Sequence, residues 1–234
     1  IKNFEIIEIA GPGFLNIKLS NLAIIKNIES ILESDQLYGS SKSNKSYNIE
    51  FVSANPTGPM HVGHCRGAIY GDVLANLLKF NGNKVTKEYY INDHGNQITN
   101  FVESVFLRIR EIKYSEQFLL KENLYPGLYI KEIAQNIINE NEFEKFDDFK
   151  KVFEFLKKES LQKSMRLIKN DLKLLGITHD VFISETDLIK KNLVNDAVRK
   201  LREKKFVEEG FLQPPKGEIN ENWKKTKRLI FKST

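Results

Sequence analysis

The chain is poor in the residues that build cross-linked or multi-metal scaffolds. It has one cysteine, Cys65, in 234 residues. That excludes an internal disulfide and any multi-cysteine metal site, and it fits a reducing compartment. It has four histidines. Only His94 and His179 remain beyond the pair His61 and His64, and a zinc site needs more ligands nearby than that pair supplies. No apolar run approaches the roughly 18 residues of a membrane span. The first residues, Ile1-Lys2-Asn3-Phe4, carry neither an initiator methionine nor a secretory pattern. No internal repeat is present. Neither sign of charge dominates: 36 Lys and Arg stand against 31 Asp and Glu, for a net +5. Such a balance permits a polyanionic partner without demanding one. Only the last stretch is biased, with Lys224, Lys225, Lys227, Arg228 and Lys232 and no acid among them. Together these absences fit a cytoplasmic protein with no membrane attachment.

Hydrophobic residues make up 41% of the chain, enough for a sizeable core. Residues 2–9 and 14–19 read as strands around the turn Gly11-Pro12-Gly13. Residues 21–34 read as an amphipathic helix with Leu22, Ile25, Ile28 and Leu32 on one face. The run from Gly39 to Lys45 is a linker by composition. A strand over 47–52 leads into a helix from Val62 to Lys79, predicted to bury Ala68, Ile69, Val73, Leu74, Leu77 and Leu78. A second strand, 85–91, precedes a helix with Ile98, Phe101, Val102, Val105, Ile109 and Ile112 on one face. Strand–helix–strand–helix is the unit of a parallel α/β sheet. Residues 113–148, with a helix near 128–139, read as an insertion. Helical periodicity returns over 149–175, a short strand follows at 181–183, and another helix is expected over 188–204. Glu208-Glu209-Gly210 reads as the turn of a hairpin, and 228–232 as a last strand. Both ends break inside predicted elements, as expected of a stretch of a longer chain.

The chemistry concentrates between the first sheet strand and its helix, in Ser53-Ala54-Asn55-Pro56-Thr57-Gly58-Pro59-Met60-His61-Val62-Gly63-His64. A helix N-terminus offers free N–H groups and partial positive charge, so it attracts phosphate. Pro59 suits the start of such a helix. Gly63 leaves room for a phosphate to approach. His61 and His64, three apart, share one face of the first turn and can donate hydrogen bonds to phosphate oxygens. The plainer alternative is a surface helix start with two ordinary histidines. Asp93, Gly95 and Gln97 follow the second strand, at the sheet edge where such folds bind ligands. A simple turn and helix cap would explain them too. Cys65 reads as a packing residue and Asp72 as an exposed or capping helix residue. His94 and His179 carry no signal.

The run from Ile49 to Gly67 closely resembles the signature of bacterial arginyl-tRNA synthetases, and His61-Val62-Gly63-His64 is similar to the H-I-G-H element of class I synthetases. Tyr89-Tyr90-Ile91-Asn92-Asp93-His94-Gly95-Asn96-Gln97 resembles a second segment of that family. Gly11-Pro12-Gly13-Phe14-Leu15-Asn16-Ile17 resembles the end of its N-terminal tRNA-contacting domain. Tyr129-Ile130-Lys131-Glu132-Ile133-Ala134 and Phe231-Lys232-Ser233-Thr234 fit as well.

The resemblance implies an α/β fold: the first half of a Rossmann-like class I catalytic domain with a helical insertion, preceded by the end of a small α+β domain. The implied division is 1–45, 46–112, 113–148 (the insertion) and 149–234. It implies an ATP-dependent ligase that makes arginyl-adenylate and passes arginine to tRNA(Arg). Magnesium accompanies ATP, no protein metal site is expected, and a monomer is favoured. By resemblance, His61, Gly63 and His64 contact ATP, and His64 also approaches the arginine carboxylate. Ser53 and Asn55 match positions that hold the amino acid's ammonium and carboxylate. Glu50 matches an acidic position that reaches the guanidinium. A carboxylate at the end of a buried strand needs such a partner, and guanidinium supplies a planar fork of donors. A solvent-facing Glu50, or one paired with a lysine, is the other reading. The second family signature, similar to K-M-S-K-S, does not occur in the chain, so activity in isolation is not expected. Another H-x-G-H nucleotidyl transferase, or a non-catalytic tRNA-binding or interaction protein derived from a synthetase, would share parts of this pattern.

Overall fold

The computed structural model describes residues 3–119, 121–141, 145–211 and 226–231. These fall into two compact units, one drawn from Ile1–Ile49 and Val73–Thr86, the other from Glu50–Asp72 and Lys87–Thr234.

In the first unit, strands β1 (Phe4–Ala10) and β2 (Phe14–Leu19) pair antiparallel, from Phe4↔Leu19 to Ala10↔Phe14. The Ser20 side chain then accepts a hydrogen bond from the Ala23 N–H at 3.2 Å and starts helix α1 (Asn21–Ser34). The predicted helical stripe is there, yet no residue of α1 is buried. The stretch read as a linker has no regular structure but is tied down. Ser41 Oγ and the Ser43 N–H both donate to the Asn81 carbonyl, and the Lys45 N–H donates to Asn83 Oδ1. Gly82 makes that turn possible. It holds φ +80°, and a Cβ there would lie 2.7 Å from the Ser41 carbonyl oxygen.

A three-stranded sheet has the order β3 (Ser46–Glu50), β4 (Lys84–Ile91), β5 (Val181–Ser184). Strands β4 and β5 are parallel, with Glu88 opposite Val181 and Ile91 opposite Ser184. Helix α2 (Val62–Phe80) lies between β3 and β4 in sequence, and helix α3 (Asn96–Tyr114) follows β4. This is the expected α/β arrangement. The buried face of α2 differs from the one anticipated. Ala68, Gly71 and Ala75 are buried, Leu78 is half-buried, and Ile69, Val73, Leu74 and Leu77 are exposed. The helix approaches its neighbours through small side chains at helical spacing, which hydrophobicity alone does not rank as core.

The second unit is centred on three helices: α3, α4 (Leu128–Glu140) and α5 (Phe149–Leu174). Their core includes Ile98, Phe101, Val105, Ile109, Ile130, Ile133, Ile137 and Leu156. The apolar face read for α3 is thus largely the buried one. Beyond β5 the single expected helix is two, α6 (Glu185–Lys190) and α7 (Leu193–Glu203). Asn192 breaks them, in the left-handed region at φ +58°. The expected hairpin at Glu208–Gly210 does not form. Residues Val207–Phe211 are one strand, β6, antiparallel to β7 (Lys227–Phe231). Gly210 gives room to Ile230, whose Cδ1 would lie 2.8 Å from a Cβ there. Lys224, Lys225 and Lys232 of the basic cluster lie outside the described residues, as do residues 232–234 of the last stretch of family resemblance. No described helix is long and apolar enough to cross a membrane.

Candidate active site

The segment after β3 leaves the sheet abruptly. Val52 and Ser53 sit at φ +68° and +40°, a region that β-branched residues rarely occupy. Such conformations persist where their surroundings over-determine them, and they gather at functional sites. Ser53 is held from both sides: its Oγ donates to Glu50 Oε1 at 2.7 Å and accepts from the Tyr90 N–H at 3.0 Å. Glu50 is exposed, so burial does not make its carboxylate demand a partner; Ser53 orients it instead. Asn55 Nδ2 donates to Gln97 Oε1 at 2.7 Å, which joins the loop to the first turn of α3.

Helix α2 begins at Val62, so Pro59 lies before the helix and not at its first position. His61 is the cap. Its carbonyl accepts from the Cys65 N–H, and its Nδ1 accepts from the N–H groups of Gly63 (3.1 Å) and His64 (3.4 Å). In return, the His61 N–H donates to His64 Nδ1 at 3.4 Å. Two histidines thus perform the reciprocal exchange that Ser and Glu perform in a capping box. An Nδ1 that accepts carries no proton, so this network assigns both neutral rings their proton on Nε2. The rings stack with centroids 3.7 Å apart. Burial, and then the neighbouring His61, hold the His64 pKa below the ordinary histidine value.

Gly63 also bears on the ring of His61. A Cβ there would lie 3.1 Å from His61 Cε1 and 3.2 Å from Nδ1. The absent side chain leaves the imidazole room to fold back over the helix end. The helix N–H groups at 63 and 64 are engaged by that ring, so the outward donors are imidazole Nε2–H groups. Around them is a pocket of about 370 Å³ lined by Asn55, Thr57, Gly58, Pro59, His61, His64, Tyr125 and Tyr129.

Not every candidate converges there. Asp93 lines another cleft, of about 590 Å³, with Glu154, Lys157, Lys158, Leu161, Thr186, Asp187 and Lys190. Its carboxylate accepts from Ser184 Oγ (2.6 Å) and the Thr186 N–H (2.8 Å). Burial pushes the Asp93 pKa up, but these hydrogen bonds outweigh it and leave the group below the usual carboxylate range. Asp93 therefore ties the end of β4 to the β5–α6 junction. Gly95, at φ +90°, is the N-cap of α3.

The site also holds residues that sequence reasoning passed over. Tyr125 and Tyr129 stand on either side of Pro126-Gly127-Leu128 and line the histidine pocket. In the sequence Tyr129 stands out only within a stretch of family resemblance, and the tyrosine pair around a turn is the signal that marks both residues. Away from the pocket lining, Lys87 and Asp72 form an ion pair at 2.6 Å, with side chains 8% and 15% exposed. Asp72 is therefore not a surface helix residue.

A family model described as tRNA synthetases class I (R), catalytic domain, matches residues 27–211. The chain belongs to this class I synthetase family. It is 52% identical over 236 residues to the arginine–tRNA ligase of Pelagibacter ubique, with all of this chain and 41% of that protein covered. It is 45% identical over 237 residues to the arginine–tRNA ligase of Ehrlichia ruminantium strain Welgevonden, again covering all of this chain and 41% of the relative. The chain thus spans about two fifths of the length of the curated relatives it matches. Among solved structures, a Campylobacter jejuni protein described as an arginyl tRNA synthetase superposes with a TM-score of 0.73 at 32% identity, over 83% of this chain and 43% of that one. The Thermus thermophilus arginyl-tRNA synthetase, at 21% identity and a TM-score of 0.58, shares the fold. The histidine pocket of this class I chain lies wholly inside the matched residues.

Proposed function

We propose that the chain carries the first half of the adenylation site of an arginine–tRNA ligase. The enzyme would join L-arginine to ATP, release pyrophosphate, and pass arginine to tRNA(Arg) with release of AMP. The observation that carries this reading is the stacked pair His61 and His64, each assigned an Nε2–H donor, beside Asn55 in one pocket. Two imidazole N–H donors suit the α-phosphate, where charge develops as the arginine carboxylate attacks. Magnesium would travel with ATP. Glu50, oriented by Ser53, would take the guanidinium; Ser53, Asn55 and His64 would hold the ammonium and carboxylate. Gln97 would act through Asn55, while Asp93 and Gly95 would shape the adjoining edge. Residues 1–45 would contact tRNA, 46–112 and 149–234 would belong to the catalytic domain, and 113–148 would be its insertion. A cytoplasmic monomer is part of the same reading.

Arginine-dependent pyrophosphate exchange by the full-length protein, with and without tRNA, tests it. The reading fails if no exchange depends on arginine; exchange driven by another acid would instead mark a different nucleotidyl transferase. Glu50→Gln is expected to raise the KM for arginine far more than that for ATP. An unchanged arginine KM would remove Glu50 from the site.

A further inference from the structure

The loop that delivers His61 is held at four points, and three of the anchors come from helices α3, α4 and α5. Tyr89 Oη donates to the Ala54 carbonyl at 2.8 Å, and Asn55 bonds to Gln97. Tyr129 Oη, at the start of α4, donates to the Thr57 carbonyl at 2.9 Å. Asp171, on α5, accepts from the Met60 N–H through Oδ2 at 3.0 Å. Met60 directly precedes the capping histidine. We infer that Tyr129 and Asp171 are positioning residues for adenylation, fixing loop residues 57–60 and hence both imidazoles.

Packing points the same way. The Tyr129 ring lies so close to Gly58 that a Cβ there would sit 2.9 Å from Cζ and Oη. Pro56, in the middle of the loop, is fully buried. Burial pushes the Tyr129 pKa up to about 12, so its hydroxyl keeps the proton it donates. Backbone strain at Val52 and Ser53 gives the loop a reason to need several anchors. An error of about 1 Å in placing reacting groups can cost about 10²-fold in rate.

The inference rests on the adenylation reading, and its test separates the two. Tyr129→Phe keeps the ring and removes the hydroxyl. Asp171→Ala removes the acceptor, and Asp171→Asn restores one. In the full-length enzyme, Tyr129→Phe and Asp171→Ala are expected to lower kcat for arginine-dependent pyrophosphate exchange about 10- to 100-fold. The KM for arginine and the melting temperature should change little, and Asp171→Asn should recover most of the rate. Wild-type kcat in Tyr129→Phe and Asp171→Ala would overturn the inference. So would an Asn variant no better than Ala, or losses that track melting temperature. If the wild type itself shows no exchange, the adenylation reading falls. The anchoring is then judged by amide hydrogen exchange over 54–60, which Asp171→Ala must accelerate; unchanged exchange overturns it.

Discussion

In the adenylation reading His61 would do two jobs with two nitrogens. Nδ1 caps α2, and Nε2 is left as the outward donor. Substitution can separate them, because an asparagine side chain places its oxygen near the Nδ1 position but cannot reach as far as Nε2. His61→Asn should keep the stability of the parent and lose about 10²–10³ in kcat for exchange. His61→Ala should lose the rate and also about 1 kcal/mol of stability from the missing cap. Equal destabilisation of both variants in urea melts would refute the capping role. Protonation acts at the same scale. His179 packs against Phe51, Tyr89 and Phe182. Burial chiefly lowers its pKa, helped by Lys87 and opposed by the Phe51 backbone, Asp72 and Asp180. His64 is lowered as well. For both histidines the unfolded chain binds protons more readily, so stability is full above about pH 6.5 and falls as pH drops through the folded values. The depressed Asp93 adds a loss of the same sign at lower pH, below its unfolded value of about 3.9. Stability curves of His179→Phe should be flatter between neutrality and pH 5 than those of the parent. Parallel curves would exclude His179 as a contributor.

At the level of elements, α2 and β4 are joined by the Asp72–Lys87 pair. A buried pair adds little over apolar packing, but removing one partner breaks it and costs about 3–5 kcal/mol. Lys87→Met should therefore be strongly destabilising, and Lys87→Met with Asp72→Leu should recover much of the loss. Chemical denaturation of both proteins checks this; a double variant no better than the single one would contradict it. The α3–α4–α5 core behaves as ordinary packing. Ile133, 3% exposed, should cost about 2–5 kcal/mol when cut to alanine. Helical periodicity identified all three of these helices, because long apolar stripes report themselves. It mistook the burial of α2, where Ala68, Gly71 and Ala75 pack, since small residues give no such signal. It also missed Asn192 as a break and read Gly210 as a turn when that glycine makes room for a neighbouring strand.

For the molecule as a whole, the chain holds one of the two expected class I signatures, and its curated relatives extend well beyond the stretch it covers. The 234-residue chain alone should show no arginine-dependent exchange, whereas the full-length enzyme should. Activity of the isolated chain would show that the second signature is dispensable. The sequence by itself determined the α/β order of elements, the family, and the place of the candidate motif between β3 and α2. These follow from hydrophobic period, from turn residues, and from a motif contiguous along the chain. Only the tertiary structure decided how that motif is held. It put Asn55 on Gln97, Tyr129 on Thr57 and Asp171 on Met60, pairs separated by 42, 72 and 111 positions. It also joined Asp93 to Ser184 and Thr186. Local sequence fixes which atoms can donate and accept. Which of them meet depends on packing between distant helices, and no local pattern encodes that.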